Sequence, residues 1–524
     1  MFGDIIPHML HGFQVAFTLQ GLLMVTIGCV VGTVIGALPG LGPITAIAVM
    51  IPMLTNFDPA FGMILMSGVY YGAIFGGSTS SILINAPGVA GVVATAFDGY
   101  PMTQRGESGK ALCIAAIASF SGGTLSVIGL MLLAPIMGKF ALLFGPPEYF
   151  ALMVFAMFAV TAFSEGSTIK GLVSAVIGLM AATIGIDMST GYFRYSMGFS
   201  ELQDGIKFLV VILGLFALTE VFMIATSKEA EDQSDEYKTK VTSLKISKSE
   251  AKQITPPILR GSFIGFLIGV LPGAGATIAS FMSYAAEKKV QGNPETFGKG
   301  DIRGLAAPEA ANNAACSGSF IPLLTLGIPG SGSTAVMLGA LMAVGINPSP
   351  QLMTNYPDLF WGTIASMYTG MIILLIINLP LIPYFARVLW IPRPLLLPSV
   401  VLFSLIGIYG VGFSVFDLLL LILFGAFGVI MKYIGLPPAP FILAFIIGPI
   451  MENSFGQCLT ISQGGMWIFY DTTISKIFLI CIIVVTIRII WKSLRPEAEE
   501  SAEPDESLAL AVEDTPVSNR GQES

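Results

Sequence analysis

One small-residue run, Ala306-Ala307-Pro308-Glu309-Ala310-Ala311-Asn312-Asn313-Ala314-Ala315, holds a carboxylate and two amides in otherwise apolar company. Glu309 and Asn313 are four residues apart, so a helix sets them on one face. A carboxylate beside amide oxygens suits Na+ or a proton. Placing such a charge at mid-membrane costs about 2.5–3.5 kcal/mol on insertion scales, so a charge found there is seldom decorative. Glu309, Asn312 and Asn313 are the candidate coupling-ion residues. Glu309 is only six residues beyond Arg303, which leaves a place at the inner membrane interface open.

Two further runs combine hydroxyls with a Pro-Gly turn. Gly76-Gly77-Ser78-Thr79-Ser80-Ser81-Ile82-Leu83-Ile84-Asn85-Ala86-Pro87-Gly88 is one, and Gly318 to Gly330 followed by Ser331-Gly332-Ser333-Thr334 is the other. Such runs read as hairpins that enter the membrane and turn at Pro-Gly. Free N–H groups and the positive dipole end of a helix would face an anion there. The candidate substrate contacts are Ser78, Thr79, Ser80, Ser81, Asn85, Pro87, Gly88, Pro329, Gly330, Ser331, Ser333 and Thr334. The plainer reading is close helix packing through small residues. Two more places break a helix, at Pro39, Gly40 and Gly42 and at Pro272, Gly273 and Gly275, because Pro removes a donor and Gly lowers helix propensity. A surface turn is the alternative for these.

These motifs recur in order. Pro39-Gly40 matches Pro272-Gly273, 233 residues later. Pro87-Gly88 matches Pro329-Gly330, and Ile117-Ala118-Ser119 matches Ile364-Ala365-Ser366. In a membrane chain, duplicated halves with broken segments at matching places point to a transporter's binding site. Of 524 residues 54% are hydrophobic and 11% charged, against about 25% charged in soluble domains. Apolar runs such as Phe13 to Leu38 and Ile474 to Ile490 approach the roughly 20 residues that cross a bilayer. The expected fold is an all-α polytopic membrane protein of two repeats, with broken helices, re-entrant hairpins and one extra C-terminal helix. Its segments are repeat 1 (1–227), a charged cytoplasmic linker (228–257), repeat 2 (258–455), an outer loop with the final helix (456–495) and an acidic disordered tail (496–524).

Basic residues mark the cytoplasmic side. The linker holds it, as do the loop with Lys288, Lys289, Lys299 and Arg303 and the pair Arg387 and Arg393. In the first half the basic loop (Arg105, Lys110) corresponds to the base-free stretch after Ala343, so the charge bias is reversed and the repeats read as inverted. Lys139 breaks that pattern, and parallel repeats are the alternative. Met1 to Gly12 has no Lys or Arg, so no signal-peptide n-region is expected. Five scattered cysteines suggest neither disulfides nor a metal site. Both histidines precede the first span, so an intramembrane hydrolase lacks its base. No phosphate loop of the Gly-x-x-x-x-Gly-Lys-Ser/Thr type occurs, which speaks against ATP drive. A channel would need rings of polar or charged residues.

GALPGLGP at Gly36 to Pro43, YYGAIFGGSTSSILINAPG at Tyr70 to Gly88, AAPEAANNA at Ala306 to Ala314 and TLGIPGSGSTAVMLGAL at Thr325 to Leu341 resemble the large membrane subunit of tripartite tricarboxylate transporters, the TctA family. The resemblance covers nearly the whole chain apart from the acidic tail. It implies a secondary carrier in the bacterial cytoplasmic membrane that imports citrate or related carboxylates on a Na+ or H+ gradient. It also implies a small transmembrane subunit and an extracytoplasmic solute-binding protein, with no cofactor beyond a coupling Na+ and no nucleic acid. A stand-alone carboxylate carrier or antiporter is the rival reading, and the other binding-protein-dependent secondary family is a related one.

Overall fold

The computed structural model of the chain describes residues 2–38, 41–54, 57–163, 167–187, 190–226, 241–273, 275–292, 294–346, 348–387 and 393–494. Pro39, Gly40, residues 228–240 of the charged linker and the acidic tail lie outside the described residues. The first part of the chain runs α1 (Phe2–Ala16), α2 (Leu19–Ala37), α3 (Pro43–Leu54), α4 (Pro59–Ile84), α5 (Val93–Gln104), α6 (Ser108–Ala141), α7 (Pro146–Phe163), α8 (Thr168–Ala182), α9 (Phe208–Ile212) and α10 (Thr219–Thr226). A π-helical stretch, Leu213–Leu218, joins the last two, and a two-stranded hairpin, Gly185–Ile186 with Phe193–Arg194, precedes them. Then follow α11 (Lys248–Val270), α12 (Gly275–Gln291), α13 (Ile302–Gly318), α14 (Phe320–Leu326), α15 (Gly332–Ala343), α16 (Leu352–Asn355) and α17 (Pro357–Asn378). The chain closes with α18 (Ile382–Phe385), α19 (Arg393–Gly412), α20 (Val415–Ile434), α21 (Pro438–Ile461) and α22 (Thr473–Leu494).

Seven described helices are long and apolar enough to cross a membrane. Others leave large apolar side chains on the surface, among them Phe263, Leu267, Ile480 and Val484. A surface of that kind faces lipid rather than water. The protein is a multi-pass, all-α membrane protein.

Two helices form the centre. Nearly every residue of α4 is buried, and so is α13 from Gly304 to Gly318. Each is flanked by a glycine-striped neighbour. A Cβ at Gly28, Gly32 or Gly36 of α2 would run into the backbone carbonyls of Leu65, Val69 and Ala73 on α4. Gly261, Gly265 and Gly269 of α11 stand in the same relation to Ala307, Ala311 and Ala315 on α13. Spacing of four brings backbones together where no solvent effect would drive helices to associate. Local signals set the ends. Asp58 caps α4 by accepting from the Ala60 N–H at 2.8 Å, with Pro59 at the first helical position. Ser247 and Glu250 cap α11 reciprocally.

Several boundaries differ from the sequence reading. The apolar run Phe13 to Leu38 is two helices, because Thr18 accepts from the Gly21 N–H and starts α2 afresh. Helix α11 begins at Lys248, inside the stretch read as linker, and α21 continues to Ile461, past residue 455. The run Gly76 to Ser81 is the end of the 26-residue α4, so the non-helical turn is confined to the residues after Ile84.

Candidate functional site

Glu309 lies seven residues into α13 and is 0% exposed. Four donors surround it. Ser78 of α4 and Ser119 of α6 each donate to Oε1 at 2.6 Å, and Thr95 of α5 donates to Oε2 at 2.7 Å. The fourth is the Asn313 amide, 3.4 Å from Oε1 and also donating to the Glu309 carbonyl at 3.1 Å. No Lys, Arg or His is among these partners, so neutral dipoles alone hold the carboxylate. Burying an unpaired charge is costly, and a proton or a small cation is the species that would balance it. Two oxygen acceptors stand ready: Asn312 Oδ1 and Asn313 Oδ1 are buried without a partner, as is the Asn312 Nδ2 donor. Asn312 faces Gly91, just after the first Pro-Gly turn, which also lies against Ala276 near the start of α12.

The two Pro-Gly turns sit against the two helix breaks. Gly88 packs so closely on Gly36 and Gly77 that a Cβ would collide with the Gly36 carbonyl. In the second turn the Gly330 carbonyl accepts from the Gly273 N–H at 3.1 Å. Gly273 and Gly275 have φ of 81° and 62°, a left-handed conformation that favours glycine. Past each turn comes a 12-residue helix, α5 and α15, about 18 Å long and too short to cross the bilayer. Ser331 caps α15: its Oγ accepts from the Thr334 N–H at 3.3 Å, and Thr334 Oγ1 accepts from the Ser331 N–H at 2.8 Å. Gly332 and Ser333 lie in the first turn, where helix geometry offers their N–H groups no intrahelical acceptor.

Not every residue of the sequence reading falls in one place. Ser78, read as a substrate contact, joins the Glu309 cluster instead. Ser80 and Ser81 donate to the Gly77 carbonyl of their own helix at 3.0 and 2.9 Å. Thr79 lies 3.4 Å from the Phe75 carbonyl. Asn85 is exposed and left-handed (φ 51°), the conformation that ends α4. Pro87 is half-buried, whereas Pro329 and Gly330 are buried and Ser333 is nearly so. Gly42 and Pro272 are half-buried. Thr95 and Ser119, which complete the Glu309 cluster, were not singled out as candidate site residues from the sequence. Ser119 occurred in a repeated triplet, but nothing in a lone hydroxyl on an apolar helix distinguishes a ligand from packing.

Two clusters outside the centre join distant segments. Asp98 of α5, 0% exposed, accepts from the N–H groups of Gly298, Gly300 and Asp301 at 2.9, 2.8 and 2.7 Å, and from Tyr284 Oη at 3.1 Å. Arg105 donates to the carbonyls of Lys299 and Gly300 at 3.0 and 2.8 Å. Burial pushes the neighbouring Asp301 carboxyl up, but hydrogen bonds from Arg303 and Thr296 outweigh that and hold it at about 2. Elsewhere, a cavity of about 380 Å³ opens between the end of α6, α7, α21 and the Pro348–Gln351 loop, with Leu326 and Gly327 in its wall. Asp417 pairs with Lys207 at 2.7 Å and Glu220 with Lys432, so these acids are structural ion pairs. No group of three His, Cys, Asp or Glu that could hold a metal occurs among the described residues.

Residues 22–443 match the family described as the tripartite tricarboxylate transporter TctA family. Two curated relatives come from Agrobacterium vitis. An uncharacterised 52.8 kDa protein from the TAR-I ttuC' 3' region is 40% identical over 487 residues, covering 92% of this chain and 96% of the relative. An uncharacterised protein from the TAR-II ttuC' 3' region is 42% identical over 236 residues, 45% of this chain and 98% of the relative. No solved structure matches significantly.

Proposed function

The chain belongs to the tripartite tricarboxylate transporter TctA family, and on that premise we propose that it is the large membrane subunit of a secondary importer for citrate or related carboxylates. The partners in this reading are a small transmembrane subunit and an extracytoplasmic solute-binding protein, in the cytoplasmic membrane of a bacterium. The observation that carries the reading is Glu309: a fully buried carboxylate held by neutral donors from three helices, beside orphaned amide oxygens. A buried ionisable group of that kind in a membrane protein marks an ion path.

The two halves work as repeats of opposite orientation. In support, α2 and α4 carry the same glycine-to-backbone register as α11 and α13, each Pro-Gly turn abuts its own helix break, and each leads into a 12-residue helix. The reversed basic-residue bias supports the inversion. In this arrangement the Asp98 cluster lies on the cytoplasmic side, and the 380 Å³ cavity beside Gly327 faces outward. A carboxylate released by the binding protein enters there and is held by the N-terminal turn of α15 and the Pro-Gly loops, where helix N-termini favour anions. A cation at the Glu309 cluster compensates its charge, and movement of one block against the other exposes the site to the cytoplasm.

The test is uptake of a labelled carboxylate panel by proteoliposomes holding this chain and its small subunit. Uptake that needs both the binding protein and one of the two gradients, Na+ or pH, supports the proposal. Robust uptake without the binding protein would make the chain a stand-alone carrier.

A further inference from the structure

A second cavity, of about 10 Å³, adjoins the Glu309 cluster between α4, α6 and α17. Its walls are Phe75, Ser78, Thr79, Leu112, Ala115, Ala116, Ser119 and Asn378. That is near the lower limit for one water-sized species. Three of the four polar residues are hydroxyls, and two of these, Ser78 and Ser119, spend a proton on Glu309 Oε1 at 2.6 Å. A hydroxyl has one proton and two lone pairs, so each oxygen that donates to the carboxylate keeps acceptor capacity for the chamber.

Asn378 supplies the independent observation. It is 4% exposed, its Nδ2 donates to the Leu374 carbonyl at 3.0 Å, and its Oδ1 is buried with no partner. One of the two amide protons is committed along its own helix, which fixes the amide so that its unpartnered Oδ1 is the acceptor left for the chamber. Asn378 is also the last residue of α17, two before Pro380. A helix C-terminus carries a partial negative charge and favours cations. Acceptor oxygens on several sides, a carboxylate behind two of them and a helix C-terminus make a setting for a positive ion. Phe75, Leu112 and the two alanines leave no room for its water shell.

We propose that this chamber binds one dehydrated alkali cation of sodium's size, coordinated by Asn378 Oδ1 with the hydroxyl oxygens of Ser78, Thr79 and Ser119. Protein oxygens there replace the hydration shell as they do in ion filters. Glu309 balances the charge through the Ser78 and Ser119 hydroxyls. The proposal rests on the importer reading, and within it selects Na+ over H+ and adds Asn378 and Ser119 to the residues that couple transport.

The test is equilibrium binding of 22Na+ to the purified full-length chain with its small subunit, in detergent and without carboxylate. Li+ and K+ serve as competitors. The wild type is expected to bind saturably, with Li+ competing and K+ failing to compete. Asn378→Leu is expected to weaken binding at least tenfold, a shift of about 1.4 kcal/mol, and Asn378→Asp to retain it. As a second readout, NaCl should raise the unfolding temperature of the wild type above that in equal KCl, because a ligand bound only to the folded state stabilises it. The Leu variant should lose that difference even if its baseline stability is lower. Unchanged 22Na+ affinity in Asn378→Leu overturns the proposal. So does a wild type with neither binding nor Na+-specific stabilisation, which would make the chamber a water site. Failure of the importer reading shows separately, as absent carboxylate uptake by the wild type with its binding protein, since detergent binding needs neither.

Discussion

Helices α4 and α13 are both central, buried and backed by a glycine-striped neighbour, yet they carry different polar groups. Helix α13 presents Glu309, Asn312 and Asn313, and the donors to Glu309 come from α4, α5 and α6. Helix α4 presents Tyr70 and Tyr71, whose hydroxyls reach Ser331 at 3.2 Å and Ser317 at 2.6 Å. Each central helix is therefore tied to the other half of the chain. The tie on α13 holds a charge and leaves acceptors unfilled; Tyr71 donates to Ser317, and Tyr70 meets the cap of α15. The difference teaches that similar scaffolding can carry unlike polar groups: α13 brings a buried carboxyl group to donors from other helices, and the tyrosines of α4 hold a helix cap and a serine of α13.

The largest expected effect follows from removing the buried carboxyl group. Glu309→Ala leaves three hydroxyls and the Asn313 amide facing an empty space, and carboxylate uptake should fall below detection while the protein still inserts. Asp98→Ala comes next. It strips the acceptor from three backbone N–H groups, each costing about 1–3 kcal/mol when left unsatisfied, so thermal unfolding should show the largest loss of stability among these variants. Gly32→Ala and Gly265→Ala should each cost about 1–3 kcal/mol by overpacking. Similar losses at the two positions would sharpen the claim that the scaffolds are similar. Tyr71→Phe is the mildest: loss of one hydrogen bond costs about 1 kcal/mol, and uptake per folded molecule should stay near wild type. A Tyr71→Phe protein of normal stability that cannot transport would break the contrast between the two helices.

The α13 cluster was legible in the sequence because its polar residues fall within one short low-polarity run and because i, i+4 spacing sets Glu309 and Asn313 on one face. The Pro-Gly turns were legible because Pro and Gly act locally on the backbone. Ser119, Thr95 and Asn378 were not, because each is a single polar residue on a different helix, and only packing brings Ser119 and Thr95 to Glu309 and Asn378 to the cavity beside Ser119. Ser78 shows the same limit from the other side. Its run of hydroxyls marked the right stretch of α4, but neighbouring residues on a helix point in different directions, so Ser78 meets Glu309 while Ser80 and Ser81 bond their own helix. The break at Thr18 was hidden in an apolar run, because a single cap residue outweighs continuous hydropathy there.

The most direct test of the central claim is to compare wild type and Glu309→Gln in two assays on the same proteoliposomes, using the carboxylate that the wild type takes up: its gradient-driven accumulation, and its exchange across the membrane without a gradient. If Glu309 couples the ion to the carboxylate, Glu309→Gln loses accumulation but retains exchange. If Glu309→Gln accumulates the carboxylate as the wild type does, Glu309 is a structural carboxylate and the coupling site lies elsewhere.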